Sequence, residues 1–309
     1  MRFYVAVTDA DWFDYLSTSG PHDEVNFWQP SAGRQFRSLN PGEPFLFKLH
    51  SPKNFIVGGG FFLRFTILPE SFAWDAFGTK NGAATEQEMR VRIARYRKVS
   101  PSPSAEYEIG CILLQSPFFF REDDWVPASD WKPNIVQGRS YDTTDGHDMW
   151  LWQQVEDRLR SDAVALPAGG VGHEEPGRIG SLQLVWPRLG QGSFRVVVTD
   201  AYKRRCAFTS SPVLDVLDAA HIRPYSMDGP HEVKNGILLR RDVHALFDRG
   251  YITVRPDHRI EVSHLIQDRF KNGHEYYSQH GNRIALPEDP SMWPSKNFLV
   301  WHNENVYLS

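Results

Sequence analysis

Residues 214–250 read LDVLDAAHIRPYSMDGPHEVKNGILLRRDVHALFDRG, and this stretch decides how the C-terminal part of the chain must fold. Val213–His221 alternates loosely between apolar and polar residues, which suits a strand ending on a histidine. A polar, glycine-containing loop follows and leads to Asn235. Ile237–Leu239 is a second short strand, and Arg241–Phe247 has the spacing of a short helix carrying His244. Strand, loop, strand and helix in under about forty residues bring His221, Asn235 and His244 within reach of one another. Further on, Tyr251–Val254 and Ile260–Val262 flank Pro256 and Asp257 and are expected to pair as a hairpin.

The chain around this stretch has 309 residues, which at about 150 per domain suggests two domains, each able to bury a core. It is 41% hydrophobic and 23% charged, a composition that excludes disorder. Its two cysteines, Cys111 and Cys206, lie far apart, which excludes a disulfide scaffold and a four-cysteine structural zinc site. Met1–Phe13 has no basic start followed by an apolar run, so no signal peptide is expected. No apolar stretch approaches about 18 residues, so no membrane span is expected either, and the expected location is the cytoplasm. The net charge is −4, so no global basic field marks a polyanionic partner. That average hides an asymmetry. Residues 181–283 hold 15 Lys+Arg against 11 Asp+Glu, so they carry +4 and the remainder −8; seven of the 12 histidines fall between His221 and His280.

Upstream, strands are expected at Arg2–Val7, Pro44–Leu49, Asn54–Gly59 and Phe61–Ile67, all rich in β-branched and aromatic residues. The run Gly58, Gly59, Gly60 between the last two implies a bulge or a backbone held close to something. Thr85–Arg97 reads as an amphipathic helix with Met89, Ile93 and Tyr96 as its apolar stripe, and Thr85 with Glu88 as a capping box. Residues 100–104 read as a surface loop, Ile109–Leu114 as a strand and Trp150–Arg160 as another helix. The glycine-rich segment 165–180 reads as a linker. The expected organisation is an N-terminal domain at 1–164, that linker, and a C-terminal domain at 181–309, in an α+β fold whose first domain is a curved sheet or barrel with helices.

The C-terminal segment resembles the HNH endonucleases of the ββα-metal kind, of the bacterial restriction-nuclease type. The similarity runs over about residues 188–262 and rests on AAHIRPY, the Asn-Gly-Ile-Leu-Leu strand and DVHALFDRG, with Asn235 nine residues before His244; RLGQGSFR and AYKRRCAFTS resemble the family's lead-in. The resemblance implies that His221 takes a proton from an attacking water, that Asn235 fixes the loop and orients the His221 imidazole, and that His244 binds one divalent cation. Many relatives carry a metal ligand immediately before the base histidine. Here that position is Ala220, and Asp218, on the same face of the strand, is the leading replacement. Asp248, one helical turn after His244, is the other expected ligand. Carboxylates with imidazole suit Mg²⁺ or Mn²⁺, with Ni²⁺ or Zn²⁺ as alternatives. No structural zinc is expected. Arg204, Arg205, Arg223 and Arg241 are candidate phosphate contacts. His231, His258, His264, His274 and His280 read as structural.

The segments VNFWQPS and NPGEPFLFKLHSPKNFIVGGGFF faintly resemble PUA-like readers of the EVE and ASCH type, in which a pocket accepts a modified base. That resemblance implies a flipped base held between aromatic faces. Phe27 and Trp28, with Asn26 beside them, and Trp74 with Phe77 are the candidate pocket residues, while Lys48, Lys53 and Arg64 are candidate backbone contacts. The expected function is a metal-dependent, modification-dependent restriction endonuclease acting on double-stranded DNA in a bacterial cytoplasm, with a homodimer possible because two strands need two cuts. The alternatives are an HNH nuclease specific for an unmodified sequence, and a DNA-binding protein with an inactive HNH fold.

Overall fold

The computed structural model describes residues 1–33, 35–100, 106–165 and 189–309. The chain divides into two compact units, Met1–Pro187 and Arg188–Ser309. Most of the expected linker 165–180, and of the expected loop 100–104, lies outside the described residues. Among the described residues no helix is long and apolar enough to cross a membrane.

The first unit is built on a mixed sheet. Its elements are β1 (Arg2–Thr8), α1 (Ala10–Thr18), β2 (Glu24–Gln29), β3 (Pro44–Leu49), β4 (Phe55–Pro69), α2 (Glu70–Phe77), α3 (Glu86–Arg97), β5 (Glu108–Phe119), β6 (Val126–Pro127), β7 (Gly138–Asp142) and α4 (Gly146–Ala165). The strand order is β2-β5-β4-β3-β1-β7, with β6 added to β4. β3 runs parallel to β1 and antiparallel to β4, and all six of its residues are buried, which is why PFLFKL reads as a continuous apolar run.

The expected strands Asn54–Gly59 and Phe61–Ile67 are one strand, β4, which passes through the glycine run without ending. Register shifts against β5 fall between Gly59 and Phe61 and again between Phe62 and Arg64, so the strand bends at the glycines. A Cβ on Gly58 would lie 2.2 Å from the Phe118 carbonyl oxygen, and one on Gly59 would lie 2.7 Å from the Phe45 carbonyl. The close backbone approach expected from the glycines is therefore present.

α1 starts at Asp9, whose carboxylate accepts from the Trp12 N–H at 3.1 Å. At α3 the Thr85 hydroxyl accepts from the Glu88 N–H, while the Glu88 carboxylate reaches the N–H of Ala84, one residue short of a reciprocal box. Met89 and Ile93 are buried as expected. Tyr96 is not part of that stripe: it is 41% exposed and turns its hydroxyl to Asp9. α4 brings Leu151, Trp152 and Val155 onto Phe3, Val5 and Tyr141.

The second unit contains α5 (Gln191–Ala201), β8 (Leu217–His221), β9 (Gly236–Arg240), α6 (Arg241–Asp248), β10 (Ile252–Val254), β11 (Ile260–Val262), α7 (Leu265–Phe270), α8 (His274–Tyr277) and α9 (Lys296–Asn305). The strand ending at His221 is shorter than expected, because Leu214–Val216 is a single 3-10 turn. β8 and β9 pair antiparallel with His221 opposite Gly236, and β10 pairs with β11 as the expected hairpin. α5 lies against the ribbon. Its Phe194 and Val198 come so close to Gly236 that a Cβ there would stand 2.5 Å from Val198 Cγ2. Phe194, Val198, Ile237, Leu239, Val243 and Phe247 belong to one core, so the β8–β9 ribbon is clamped between α5 and α6. Each unit buries one cysteine, Cys111 in β5 and Cys206 before β8.

Candidate functional site

The clamp sets the positions of the polar residues along the ribbon edge. Ala220 is fully buried, a methyl group in the core. Asp218, two residues earlier, keeps its carboxylate 30% exposed and gathers two arginines and an imidazole around it. His244 Nδ1 is 3.6 Å from Asp218 Oδ2, Arg241 Nε is also 3.6 Å from that oxygen, and Arg195 Nη2 is 3.9 Å from Oδ1. One helical turn beyond His244, Asp248 Oδ2 lies 3.3 Å from His244 Nε2. The imidazole of His244 therefore stands between two carboxylates, one facing each ring nitrogen.

The charges are mutually adjusted. The His244 imidazole 3.6 Å away, followed by Arg241 and Arg195, holds the Asp218 carboxyl below the usual carboxylate range despite partial burial. Burial works against the charged form of His244, but the nearby carboxylates of Asp218 and Asp248 outweigh it and raise its pKa. Burial pushes the Asp248 carboxyl up, against the pull of His244 and Arg249.

His221 occupies a different environment. Its ring stacks on Phe194, with centroids 3.9 Å apart and an interplanar angle of 14°. Its Nε2 lies 2.9 Å from His231 Nδ1. Burial, then the neighbouring His231 and His244, depress its pKa to about 4, so the ring is neutral near pH 7 and able to accept a proton. His231 itself stacks on Tyr225 at 4.7 Å. Sequence reasoning assigned His231 a structural part. Nothing in its spacing signals the contact, which arises because the 222–235 loop folds back on itself.

Asn235 makes that fold. It is fully buried, its Oδ1 accepts from the Arg223 N–H at 2.9 Å, and its Nδ2 donates to the carbonyls of Arg223 (2.9 Å) and Pro230 (3.0 Å). All these partners are main-chain groups of the loop. These bonds tie the loop together, and none of them reaches the His221 imidazole, which Asn235 was expected to orient directly; Asn235 meets that ring through the loop that carries His231.

Of the candidate phosphate contacts, Arg241 borders the site with a 57% exposed side chain. Arg223 donates to the Met227 carbonyl and lies over the Trp301 ring. Arg204 pairs with Asp200 and Arg205 donates to the Ser210 carbonyl, so neither is drawn to the His244 cluster.

The donor types at the cluster fit a hard divalent cation, being two carboxylates and an imidazole. The three groups do not converge on one point as they stand, because His244 separates the two carboxylates. Among the described residues no group of three His, Cys, Asp or Glu is set to hold an ion.

In the first unit, Phe27 and Trp28 line a cavity of about 360 Å³ together with Trp12, Tyr96, Asp9 and Gln29. Trp28 Nε1 donates to the Asn81 carbonyl at 2.9 Å, which fixes the ring. The Tyr96 hydroxyl donates to Asp9, and burial, followed by Asp9, pushes its pKa up to about 12. The other three candidate pocket residues are elsewhere, Phe77 being buried on α2. Asn26, on the same face of β2 as Trp28, is outside the cavity wall: it is fully buried and its Nδ2 donates to Asn81 Oδ1. Trp74 sits half-buried on α2, outside the cavity wall. Trp12, Tyr96 and Asp9 were missed because they reach the cavity from the α1 N-terminus and α3, far from the β2 motif in sequence.

Residues 206–255 match the model of the HNH_2 family, described as HNH endonuclease. No curated protein matches the chain. Four chains of solved structures match. One of them, "Modification dependent TagI restriction endonuclease", is 12% identical, with 99% of this chain and 83% of that chain covered, at a TM-score of 0.27. The matched family segment begins at Cys206 and takes in His221, Asn235, His244 and Asp248. The second unit thus carries an HNH endonuclease domain, and the chain is a DNA nuclease of that type.

Proposed function

We propose that the chain is a metal-dependent restriction endonuclease in which the first unit reads a modified base in double-stranded DNA and the second hydrolyses phosphodiesters. The observation that carries the catalytic half is the pairing of a neutral, half-buried histidine on β8 with an imidazole on α6 flanked by two carboxylates. His221 accepts the proton of the attacking water, its depressed pKa keeping it unprotonated at neutral pH. Asn235 holds the loop that frames it. His244, Asp218 and Asp248 are the residues that would hold one divalent ion, Mg²⁺ or Mn²⁺ before Ni²⁺ or Zn²⁺. When bound, that ion supplies charge stabilisation at the scissile phosphate. Arg241, exposed beside Asp218, is the arginine best placed to meet a phosphate oxygen.

The reader half of the proposal rests on the aromatic cavity of the first unit, a PUA-like domain in this reading. Phe27, Trp28, Trp12 and Tyr96 offer ring faces, and Gln29 and Asp9 offer polar edges. Stacking worth about 1–3 kcal/mol per base offsets the few kcal/mol needed to unstack one. A homodimer would place two nuclease sites on one duplex.

The test is a cleavage assay with Mg²⁺, Mn²⁺ or Ni²⁺ on plain, adenine-methylated, cytosine-methylated and hydroxymethylcytosine DNA. Metal-dependent cutting of one modified substrate supports both halves. Equal cutting of all four removes the reader and leaves a nuclease for unmodified DNA. Cutting that persists in chelator overturns the metal assignment.

A further inference from the structure

Lys48, a candidate contact to the DNA backbone, is only 1% exposed. Its ammonium donates to the Leu49 carbonyl at 2.9 Å and to Asn54 Oδ1 at 2.7 Å, and it lies 4.5 Å from the centre of the Trp131 ring. All three partners are neutral. Among the described residues no carboxylate pairs with it. Burying an ammonium without a counter-charge costs several kcal/mol, so a protein that keeps one has either a second use for it or an anion to receive. Desolvation accordingly lowers its pKa.

The ammonium also has space beside it. Lys48, Asn54 and Trp131 line a cavity of about 250 Å³. This cavity shares Val7, His50 and Val136 with the aromatic cavity of Phe27 and Trp28, so the two adjoin. Their charges differ. The aromatic cavity has Asp9 in its wall and disfavours an anion, while the adjoining one has the uncompensated ammonium. A ligand with an uncharged ring at one end and an anion at the other matches this arrangement, and a compact, strongly charged ammonium suits phosphate oxygens.

We propose that the Lys48 cavity receives a phosphate group of the nucleotide whose base enters the aromatic cavity, so that Lys48 anchors an extruded nucleotide by its backbone. This rests on the base-reading proposed above for the first unit.

Two measurements on the full-length protein test it. In the first, ¹⁵N-lysine NMR follows the Lys48 ammonium while inorganic phosphate, and then deoxynucleosides with and without a 5′-phosphate, are added at constant ionic strength. A saturable shift with phosphate and with the 5′-monophosphates, absent with chloride, is expected. In the second, Lys48→Met is compared with wild type on the modified duplex that the protein cuts. Methionine keeps the side chain as far as Cε, and relief of the buried charge offsets the loss of the bonds to the Leu49 carbonyl and Asn54 Oδ1, so the melting temperature is expected to hold to within a few degrees. Affinity is expected to fall about tenfold, and the slope of log K against log salt to flatten by about 0.9, the loss of one phosphate contact. No NMR shift with either phosphate probe overturns the proposal, as does an unchanged salt slope in Lys48→Met. Trp28→Ala separates the two ideas. If it abolishes the preference for modified DNA while Lys48→Met changes nothing, the base-reading stands and the anchor fails. If Trp28→Ala changes nothing while Lys48 still binds phosphate, the anion site stands and the base-reading fails.

Discussion

In the second unit the residues that meet, Asp218, His221, His244 and Asp248, come from one strand pair and the helix that follows it. In the first, the cavity draws Asp9 from the N-terminus of α1, Phe27 and Trp28 from β2, and Tyr96 from α3. The first arrangement is local and charged, and each group sets the ionisation of its neighbour. The second is assembled at long range from aromatic rings held individually, Trp28 by the Asn81 carbonyl and Tyr96 by Asp9. A local charged cluster should respond steeply and selectively to single changes, because removing one group alters the protonation or placement of the rest. An aromatic cavity should respond in smaller, more nearly additive steps.

The sharpest contrast is expected from His221→Ala, which removes the proton acceptor. Cleavage should fall about a thousandfold while DNA binding is retained, measured as single-turnover cutting beside equilibrium binding. Survival of cutting would break the comparison at its charged end.

A pH scan gives the next effect in size. His302 is 2% exposed, with Nδ1 2.8 Å from Thr253 Oγ1 and Nε2 3.2 Å from the Phe247 carbonyl, and burial depresses its pKa to about 4. Its folded pKa lies below the unfolded value of 6.5, so the unfolded chain takes up the proton first as pH falls. Stability held above pH 6.5 should then be lost down to about pH 4, by about 3 kcal/mol in the limit. Chemical denaturation of the full chain at several pH values would show this as a decline in the second unit's transition, and His302→Gln should flatten it.

Asn235→Ala strands the Arg223 N–H and the carbonyls of Arg223 and Pro230. A loss of about 2 kcal/mol is expected, read from the denaturant midpoint, with cutting reduced because the loop carrying His231 loosens. Trp28→Ala should weaken binding of the recognised duplex by about 1–3 kcal/mol and leave cutting of plain DNA unaltered. The smallest expected effect belongs to His231. His231→Ala should slow cutting about tenfold, and His231→Asn should restore most of it, because a side-chain amide can either donate to or accept from His221 Nε2. Equal rates in both variants would make the contact between the rings incidental to cutting.

The same contrast explains what could be read from the sequence. β8, β9 and α6 follow from the pattern in 217–248, and once they pack, the nine-residue spacing of Asn235 and His244 leaves little freedom. Asp218 was legible because strand alternation puts it on the face of Ala220. His231 was not, since its place depends on three main-chain hydrogen bonds from Asn235 that no periodicity encodes. In the first unit, Asn26 shares the face of Trp28, as alternation along β2 implies, yet its amide is spent on Asn81 and it lies outside the cavity wall, which no periodicity could show. Tyr96 fell at an apolar position of α3 by count, yet its hydroxyl found Asp9 and the ring turned outward to the cavity. β4 was split in two by a glycine run that is in fact continuous strand, where the missing side chains admit the Phe45 and Phe118 backbone rather than a turn.

The two cysteines, one inside each unit, have a practical consequence. Cys111 has no exposure, and neither has Cys206, whose sulfur accepts N–H groups from Thr209 and Arg240 at the base of the β8–β9 ribbon. A thiol reagent can reach either sulfur only when its own unit opens. The rate at which each is labelled is therefore a separate clock for each half of the molecule, built in at positions that need no engineering. With peptide mapping to tell the two sulfurs apart, a single labelling time course on the native chain would report which unit a bound duplex or a divalent ion holds shut.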